Sequence, residues 1–140
     1  MKKFILTPIL LLLTLSACDN KRDHNGDLGG MWQLTEWRSP EGTTLATKAD
    51  QIFYSVQLNL IRFRDYDDGT LGDYYLAYFR HTPDSLIVYR PVNYAKDSLV
   101  SLHDLARYGV PANGRFHIDA LNGDMMILSS PSGTINFRKY

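Results

Sequence analysis

Short apolar segments separated by turn residues constrain the fold of this chain more than any other feature. From Met31 onward, tyrosine, phenylalanine and β-branched residues recur in short runs that are divided by Gly, Pro, Asp-Gly and Asn-Gly. Aromatic and β-branched residues favour strands, and Asn-Gly between apolar runs is a strong hairpin signal. About seven or eight evenly spaced strands predict an antiparallel sandwich or a closed barrel. The interior of a small barrel holds side chains or one small ligand.

The predicted strands follow the alternation of apolar and polar residues. Residues 31–37 form the first candidate, and residues 52–64 form a long second one whose alternation slips at Leu60-Ile61. A slip of this kind indicates a bulge or a sharp bend. After a predicted turn at Asp67-Asp68-Gly69, the remaining strands are predicted at residues 73–81, 86–89, 115–121, 125–129 and 134–140, the first two of them as a hairpin.

One segment departs from the strand pattern. Leu99, Leu102 and Leu105 fall at helical spacing, together with Ala106. Asp97 or Ser98 is a plausible N-cap, and Gly109 followed by Pro111 is a stop signal. The sequence therefore predicts one short helix of about two to three turns over residues 97–108.

The first seventeen residues have the three parts of a secretory signal. Lys2 and Lys3 are followed by an apolar stretch to Leu15 and by the small residues Ser16 and Ala17. The apolar stretch has about 12 residues, whereas a membrane-spanning helix needs about 20. We therefore expect residues 1–17 to be a cleaved signal peptide.

Leu15-Ser16-Ala17-Cys18 resembles the bacterial lipobox. In that family the peptide bond before the cysteine is cut and the thiol is acylated, which implies a membrane anchor at Cys18. Stable anchoring needs more than one acyl chain, and by this resemblance the cysteine carries two or three. The alternative is an ordinary secretion signal followed by an incidental cysteine. The resemblance implies a bacterial cell envelope protein, with the outer membrane as the favoured location.

The composition of the rest of the chain excludes several classes of protein. Residues 18–29 are polar and rich in glycine, so we predict a flexible spacer before a domain at residues 30–140. Cys18 is the only cysteine, which excludes a disulfide within the chain. The chain has 15 basic and 15 acidic residues. Nucleic-acid binding normally requires a basic patch or stripe, so we expect no nucleic-acid partner.

Gly30-Met31-Trp32 resembles the Gly-x-Trp signature that opens lipocalin and wider calycin barrels. In that family the tryptophan closes the barrel floor and an arginine of the last strand packs across its ring. The resemblance assigns these roles to Trp32 and Arg138, as a barrel-closing structural pair. Tyr108-Gly109-Val110 and the ending Phe137 to Tyr140 are similar to small lipocalin-like lipoproteins of the Bacteroides group. The implied fold is all-β: a small antiparallel lipocalin-like β-barrel with one short helix, preceded by the cleaved lipoprotein signal peptide.

The sequence offers no catalytic or metal-binding constellation. It has no Gly-x-Ser-x-Gly elbow and no glycine-rich phosphate loop, and its only thiol is assigned to lipid. His81, His103 and His117 have no set of three or four converging ligands that zinc would need. His117 and Asp119 share one face of a strand, which we expect to point to solvent. We expect no enzyme activity, no metal and no cofactor.

Tyrosines on neighbouring candidate strands suggest a ligand site. Tyr54, Tyr74 and Tyr78 combine an apolar ring with a hydroxyl group, which suits the lining of a pocket, and core packing is the alternative. The expected function is a lipid-anchored, non-catalytic barrel that binds a small apolar or amphipathic ligand in the cell envelope. The alternative function is a solid barrel that docks a protein partner of an envelope complex, and a third is an enzyme whose site the sequence does not reveal.

Overall fold

The computed structural model describes residues 25–66 and 74–140. The predicted signal peptide, the predicted lipidation site at Cys18 and the predicted turn at residues 67–69 lie outside these residues. The described residues form ten strands: β1 (Gly30–Arg38), β2 (Thr44–Thr47), β3 (Ile52–Gln57), β4 (Leu60–Asp65), β5 (Tyr75–His81), β6 (Ser85–Asn93), β7 (Ser98–Leu99), β8 (Arg115–Leu121), β9 (Met125–Ser130) and β10 (Gly133–Lys139). Three 3₁₀ helices span Gly26–Leu28, Lys48–Asp50 and Leu102–Tyr108.

Eight of these strands close into an antiparallel barrel, which confirms the predicted fold class. The order around the barrel is β1-β3-β4-β5-β6-β8-β9-β10, and β10 returns to pair with β1. Leu34 pairs with Phe137 at this closure. The two other strands extend the wall, because β2 pairs with the end of β1 and β7 pairs with β6. Closure leaves the eight barrel strands without a free sheet edge.

The predicted long strand at residues 52–64 is two strands joined by a turn. Leu58 and Asn59 form this turn, and Leu58 has a left-handed backbone with φ of 55°. Tyr54 therefore pairs with Phe63 across the hairpin. The prediction of one long strand with a bulge or a sharp bend was wrong, because the two turn residues shift the alternation just as a bulge does.

Strand β6 is longer than predicted because it continues through a proline. Leu76 pairs with Val92 and Tyr78 pairs with Tyr89, so β6 carries one extra residue between these pairs. Arg90 takes up the extra residue with a positive φ of 51°, as in a β-bulge. Proline is tolerated in strands at bulges, which explains why Pro91 does not end the strand.

The single predicted helix is present as a 3₁₀ helix that starts later than expected. The Asp104 carboxylate accepts a hydrogen bond of 2.8 Å from the backbone N–H of Ser101, which caps the helix. The predicted start at Asp97 or Ser98 was wrong, because Ser98–Leu99 form β7 and Leu99 is 70% exposed. A 3₁₀ helix repeats every three residues, so its buried side follows that spacing: Leu102, Leu105 and Tyr108.

Candidate functional site

The floor of the barrel is closed by Trp32 and by a residue of the predicted spacer. The Trp32 side chain is completely buried, and its indole N–H donates a hydrogen bond of 2.8 Å to the carbonyl oxygen of Leu28. Leu28 is also completely buried, at the end of the 3₁₀ helix Gly26–Leu28. The last residues of the predicted spacer thus pack against the floor, with Leu28 buried and the Lys139 ammonium bonded to the carbonyl oxygens of Asp27 and Gly29.

The cation over the Trp32 ring is Lys139 and not the predicted Arg138. The Lys139 Nζ lies 4.3 Å from the ring centroid, and Lys139 pairs directly with Trp32 between β10 and β1. Side chains alternate along a strand, so Arg138 points to the outer face. There its Nε donates a hydrogen bond of 2.7 Å to the side-chain oxygen of Gln33. The resemblance identified the right strand, but the register places the neighbouring residue inside.

Gly30 makes room for this arrangement. Its φ is +113°, and a Cβ atom built on it would lie 3.2 Å from the Lys139 Nζ. The ammonium group also donates a hydrogen bond of 3.0 Å to the Asp27 carbonyl oxygen and another one to that of Gly29. The glycine of the Gly-x-Trp sequence thus permits a positive φ and the close approach of the lysine.

Packed side chains fill the barrel interior around Tyr54. The Tyr54 ring is fully buried, with centroids of Phe63 and Phe137 each 4.6 Å away. Its hydroxyl donates a hydrogen bond to the Tyr108 carbonyl oxygen. Burial raises the pKa of Tyr54 far above the ordinary tyrosine value, so the hydroxyl stays protonated. The structure places this predicted ligand-lining residue inside the packed core, where it offers no surface to a ligand.

The 3₁₀ helix Leu102–Tyr108 and the residues that follow it close the end of the barrel opposite Trp32. Leu105 is completely buried there, and Tyr108 and Val110 are almost so. The Tyr108 ring lies 6.0 Å from the rings of both Phe63 and Tyr75, which come from adjacent strands. Within the described residues, both ends of the barrel are therefore covered by side chains.

The two other predicted ligand-lining tyrosines lie on the outer wall. Tyr74 stacks on Tyr94 with ring centroids 4.7 Å apart, and Tyr78 stacks on Tyr89 at 5.8 Å. Burial and the neighbouring Tyr94 raise the pKa of Tyr74. The structure thus does not bring Tyr54 together with Tyr74 and Tyr78. Alternation in β5 places Tyr75, Ala77 and Phe79 inward instead.

Comparisons with known proteins agree with this architecture. A family model described as a lipocalin-like domain matches residues 12–140. The chain belongs to this lipocalin-like family. A lipocalin-like protein from Bacteroides uniformis has a similar structure, with a TM-score of 0.64 and 21% identity over 82% of this chain and all of the other.

Two further solved structures share the fold of this lipocalin-like domain. An uncharacterized protein from Bacteroides eggerthii has a TM-score of 0.58 and 22% identity, with 80% of this chain and 98% of the other covered. A protein from Burkholderia xenovorans has a TM-score of 0.54 and 13% identity, with coverage of 82% and 83%. No curated protein matches the sequence. At these identities the similarity establishes the fold only.

One polar group on the outer wall of the lipocalin-like domain has the residue types of a catalytic triad in the wrong order. The His117 Nδ1 lies 2.6 Å from the Asp119 carboxylate, and the Ser129 hydroxyl donates to the same carboxylate oxygen at 2.8 Å. In a triad the imidazole contacts the hydroxyl and removes its proton. Here the carboxylate lies between the two, so the Ser129 hydroxyl bonds to Asp119 and not to the imidazole. His117 and Asp119 are exposed, as predicted.

An open pocket of about 500 Å³ lies beside the floor of the lipocalin-like domain. Its lining includes Asn25, Asp27, His81, Ile118 and Leu121. Burial lowers the pKa of His81, which favours the neutral imidazole. Among residues 25–66 and 74–140, no group of three or more metal-binding side chains converges here or elsewhere. In the same part of the chain, no helix has the length and apolarity needed to cross a membrane.

Proposed function

We propose that this protein is tethered in the bacterial cell envelope by lipid on Cys18 and acts, without catalysis, through the outer surface of a solid barrel. The observation that carries the proposal is the packing of the barrel interior. Trp32, Tyr54 and Phe63 are completely buried and occupy the space in which a larger barrel would hold a ligand. The outer wall is then the surface available for recognition.

The alternative is a small apolar or amphipathic ligand inside the barrel. Such a ligand would have to displace side chains that already contact each other, such as Tyr54 and Phe63 at a centroid distance of 4.6 Å. Removing a buried aromatic side chain from its contacts costs about 3–5 kcal/mol. A ligand would therefore need to supply this energy before any net affinity remained.

Titration with a fluorescent fatty acid tests the solid barrel. We expect no saturable binding to the unaltered protein at one site per chain. Phe63→Ala titrated with benzene is the matched control, because deleting a completely buried ring leaves an apolar cavity that can accept a small apolar molecule. Saturable binding of one probe per unaltered chain would refute the solid barrel, and Tyr54→Ala would then locate the site.

Metabolic labelling with palmitate tests the anchor. We expect labelled protein in the membrane fraction, and a Cys18→Ser variant that is unlabelled and released from membranes. A second variant with Cys18→Ser and Ser129→Cys keeps one cysteine in the chain but moves it to the outer wall, so it should stay unlabelled. An unlabelled parent protein, or a labelled Cys18→Ser variant, would contradict the assignment of Cys18.

A further inference from the structure

Four arginines and their tyrosine partners form one continuous surface on the outer wall of β4, β5 and β6. We call this surface the Arg–Tyr face and define it by Arg62, Arg64, Arg80, Arg90, Tyr74 and Tyr78. Alternation along β4 turns Arg62 and Arg64 outward, because Ile61 and Phe63 occupy the core. The face is thus set by the same pairing that fills the barrel.

Cation–π contacts hold these arginines against the wall. The Arg62 guanidinium lies 5.7 Å from the centroid of the Tyr74 ring, and the Arg90 guanidinium lies 6.0 Å from that of Tyr78. The Arg80 guanidinium lies 5.3 Å from the centroid of the Tyr89 ring, which belongs to β6. A guanidinium that stacks on a ring still has N–H groups free to donate to an oxyanion.

The positive charge of the Arg–Tyr face is not neutralised by ion pairs among the described residues. The ion pairs in residues 25–66 and 74–140 use Arg38, Arg107 and His117 as the basic partner. The chain as a whole has equal numbers of basic and acidic residues. Within residues 25–66 and 74–140, the four arginines of the face thus have no ion-pair partner, and together they complement an anionic partner.

Exposed leucines border the face. Leu58, in the turn between β3 and β4, is 50% exposed, and Leu99, in β7 beside β6, is 70% exposed. Tyr78 within the face is 38% exposed. Arginine, tyrosine and isolated exposed leucines together suit the boundary between lipid headgroups and acyl chains, where tyrosine is enriched and cations bind anionic lipids.

The described part of the chain begins next to this face. The Asn25 side-chain amide donates a hydrogen bond of 2.8 Å to the Leu58 carbonyl oxygen, which places the start of the described domain at the border of the face. Cys18 lies seven residues before Asn25, so their Cα atoms are at most about 25 Å apart. The nine-residue strand β1 is about 30 Å long, so Cys18 lies within one strand length of Asn25. A bilayer that held lipid on Cys18 would therefore be the large anionic surface nearest to the face.

We propose that the Arg–Tyr face rests on the anionic headgroups of the bilayer that holds the Cys18 lipid. The inference depends on the proposed anchoring, since the seven residues from Cys18 to Asn25 limit the distance between the domain and the bilayer. Contact of the face with the bilayer orients the barrel on its side, with β9 and β10 turned away from the membrane. The domain then presents β9 and β10 to other molecules of the envelope.

Spin labels on opposite walls test this orientation in the intact lipidated protein. The protein is reconstituted into phosphatidylcholine vesicles with and without phosphatidylglycerol, and it carries a nitroxide at Leu99→Cys or, as the control, at Thr134→Cys on β10. We expect the label at Leu99 to lose access to a water-soluble nickel complex only in anionic vesicles, with the label at Thr134 unchanged. Equal accessibility of both labels in the two kinds of vesicle would overturn the proposal.

Charge variants test the face without the anchor. The chain from residue 18 onward with Cys18→Ser is sedimented with phosphatidylglycerol vesicles. Arg80→Gln with Arg90→Gln should weaken vesicle binding roughly 25-fold, because each arginine near an anionic surface contributes about a five-fold increase in affinity. Lys48→Gln with Arg138→Gln removes the same charge outside the face and should change binding by less than about two-fold.

The two proposals fail in different ways. If Cys18 is unlabelled in the palmitate experiment but vesicle binding still depends on Arg80 and Arg90, the anchor is refuted. The binding of the Arg–Tyr face to anionic lipid is then still supported. Equal losses in the two charge variants, or equal binding to neutral vesicles, would refute the face whatever the state of Cys18.

Discussion

Lys139→Met tests which cation closes the barrel floor. The substitution keeps most of the apolar stem, but it removes the ammonium group that lies 4.3 Å from the Trp32 ring centroid. It also removes the hydrogen bonds that this group donates to the carbonyl oxygens of Asp27 and Gly29. A partly buried cation–π contact contributes about 1 kcal/mol and each hydrogen bond about 1 kcal/mol. We therefore expect the free energy of unfolding to fall by about 2–3 kcal/mol.

A double-mutant cycle separates the ring contact from the hydrogen bonds. Trp32→Ala alone should cost about 3–5 kcal/mol, because the ring is completely buried. Combined with Lys139→Met, the two changes should show a coupling energy of about 1 kcal/mol. Arg138→Met is the matched control on the same strand, and its coupling to Trp32→Ala should stay below about 0.5 kcal/mol, since Arg138 contacts Gln33 on the outer face.

Urea unfolding followed by circular dichroism measures the free energy of unfolding of each variant. The slope of this free energy against urea concentration should be the same for all variants if each exposes the same amount of surface on unfolding. A coupling energy for Arg138 that exceeds the one for Lys139 would refute the register of β1 and β10 described above. A loss of less than about 1 kcal/mol for Trp32→Ala would refute the burial of the ring.

Four further substitutions, one of them a control, test the packing, the backbone and the charges of the barrel. Tyr54→Phe should cost about 1 kcal/mol in urea unfolding, because it removes the hydrogen bond to the Tyr108 carbonyl oxygen, and no loss at all would contradict that bond. Gly133→Ala should cost more than about 2 kcal/mol, since Gly133 has a φ of +114° and a Cβ there would lie 1.9 Å from the Arg38 carbonyl oxygen. Gly123→Ala, where a Cβ meets no atom within 4 Å, should change stability by less than about 0.5 kcal/mol, and equal losses at the two glycines would argue against this backbone. Hydrogen bonds from two neighbouring hydroxyl groups lower the pKa of Asp84, so its carboxylate stabilises the fold above the ordinary aspartate range and loses this effect as the pH falls. Between about pH 5 and pH 2, thermal unfolding midpoints should therefore fall less steeply for Asp84→Asn than for the unaltered protein, and parallel curves would exclude this contribution.

The amino-acid sequence by itself determined the class of fold and much of the core. Alternation in the runs around Tyr54 and Tyr75 indicates strands, and the Asn122-Gly123 pair marks the hairpin between β8 and β9. These signals are local, because a strand needs only its own period and a tight turn only its own residues. The Gly-x-Trp sequence, through its resemblance to lipocalins, likewise indicates Trp32 as a barrel-closing residue.

Only the tertiary structure decided which side chains meet across the barrel. A shift of one residue between β1 and β10 exchanges the inner and outer faces, so Lys139 and not Arg138 reaches Trp32. The same dependence on register places Tyr54 in the core and Tyr74 on the outer wall. Leu28 is buried in the floor although its neighbours are polar, and Lys139, far along the chain, bonds to the carbonyl oxygens of Asp27 and Gly29 on either side of it. Register and burial depend on partners far along the chain, which the period of a single strand does not contain.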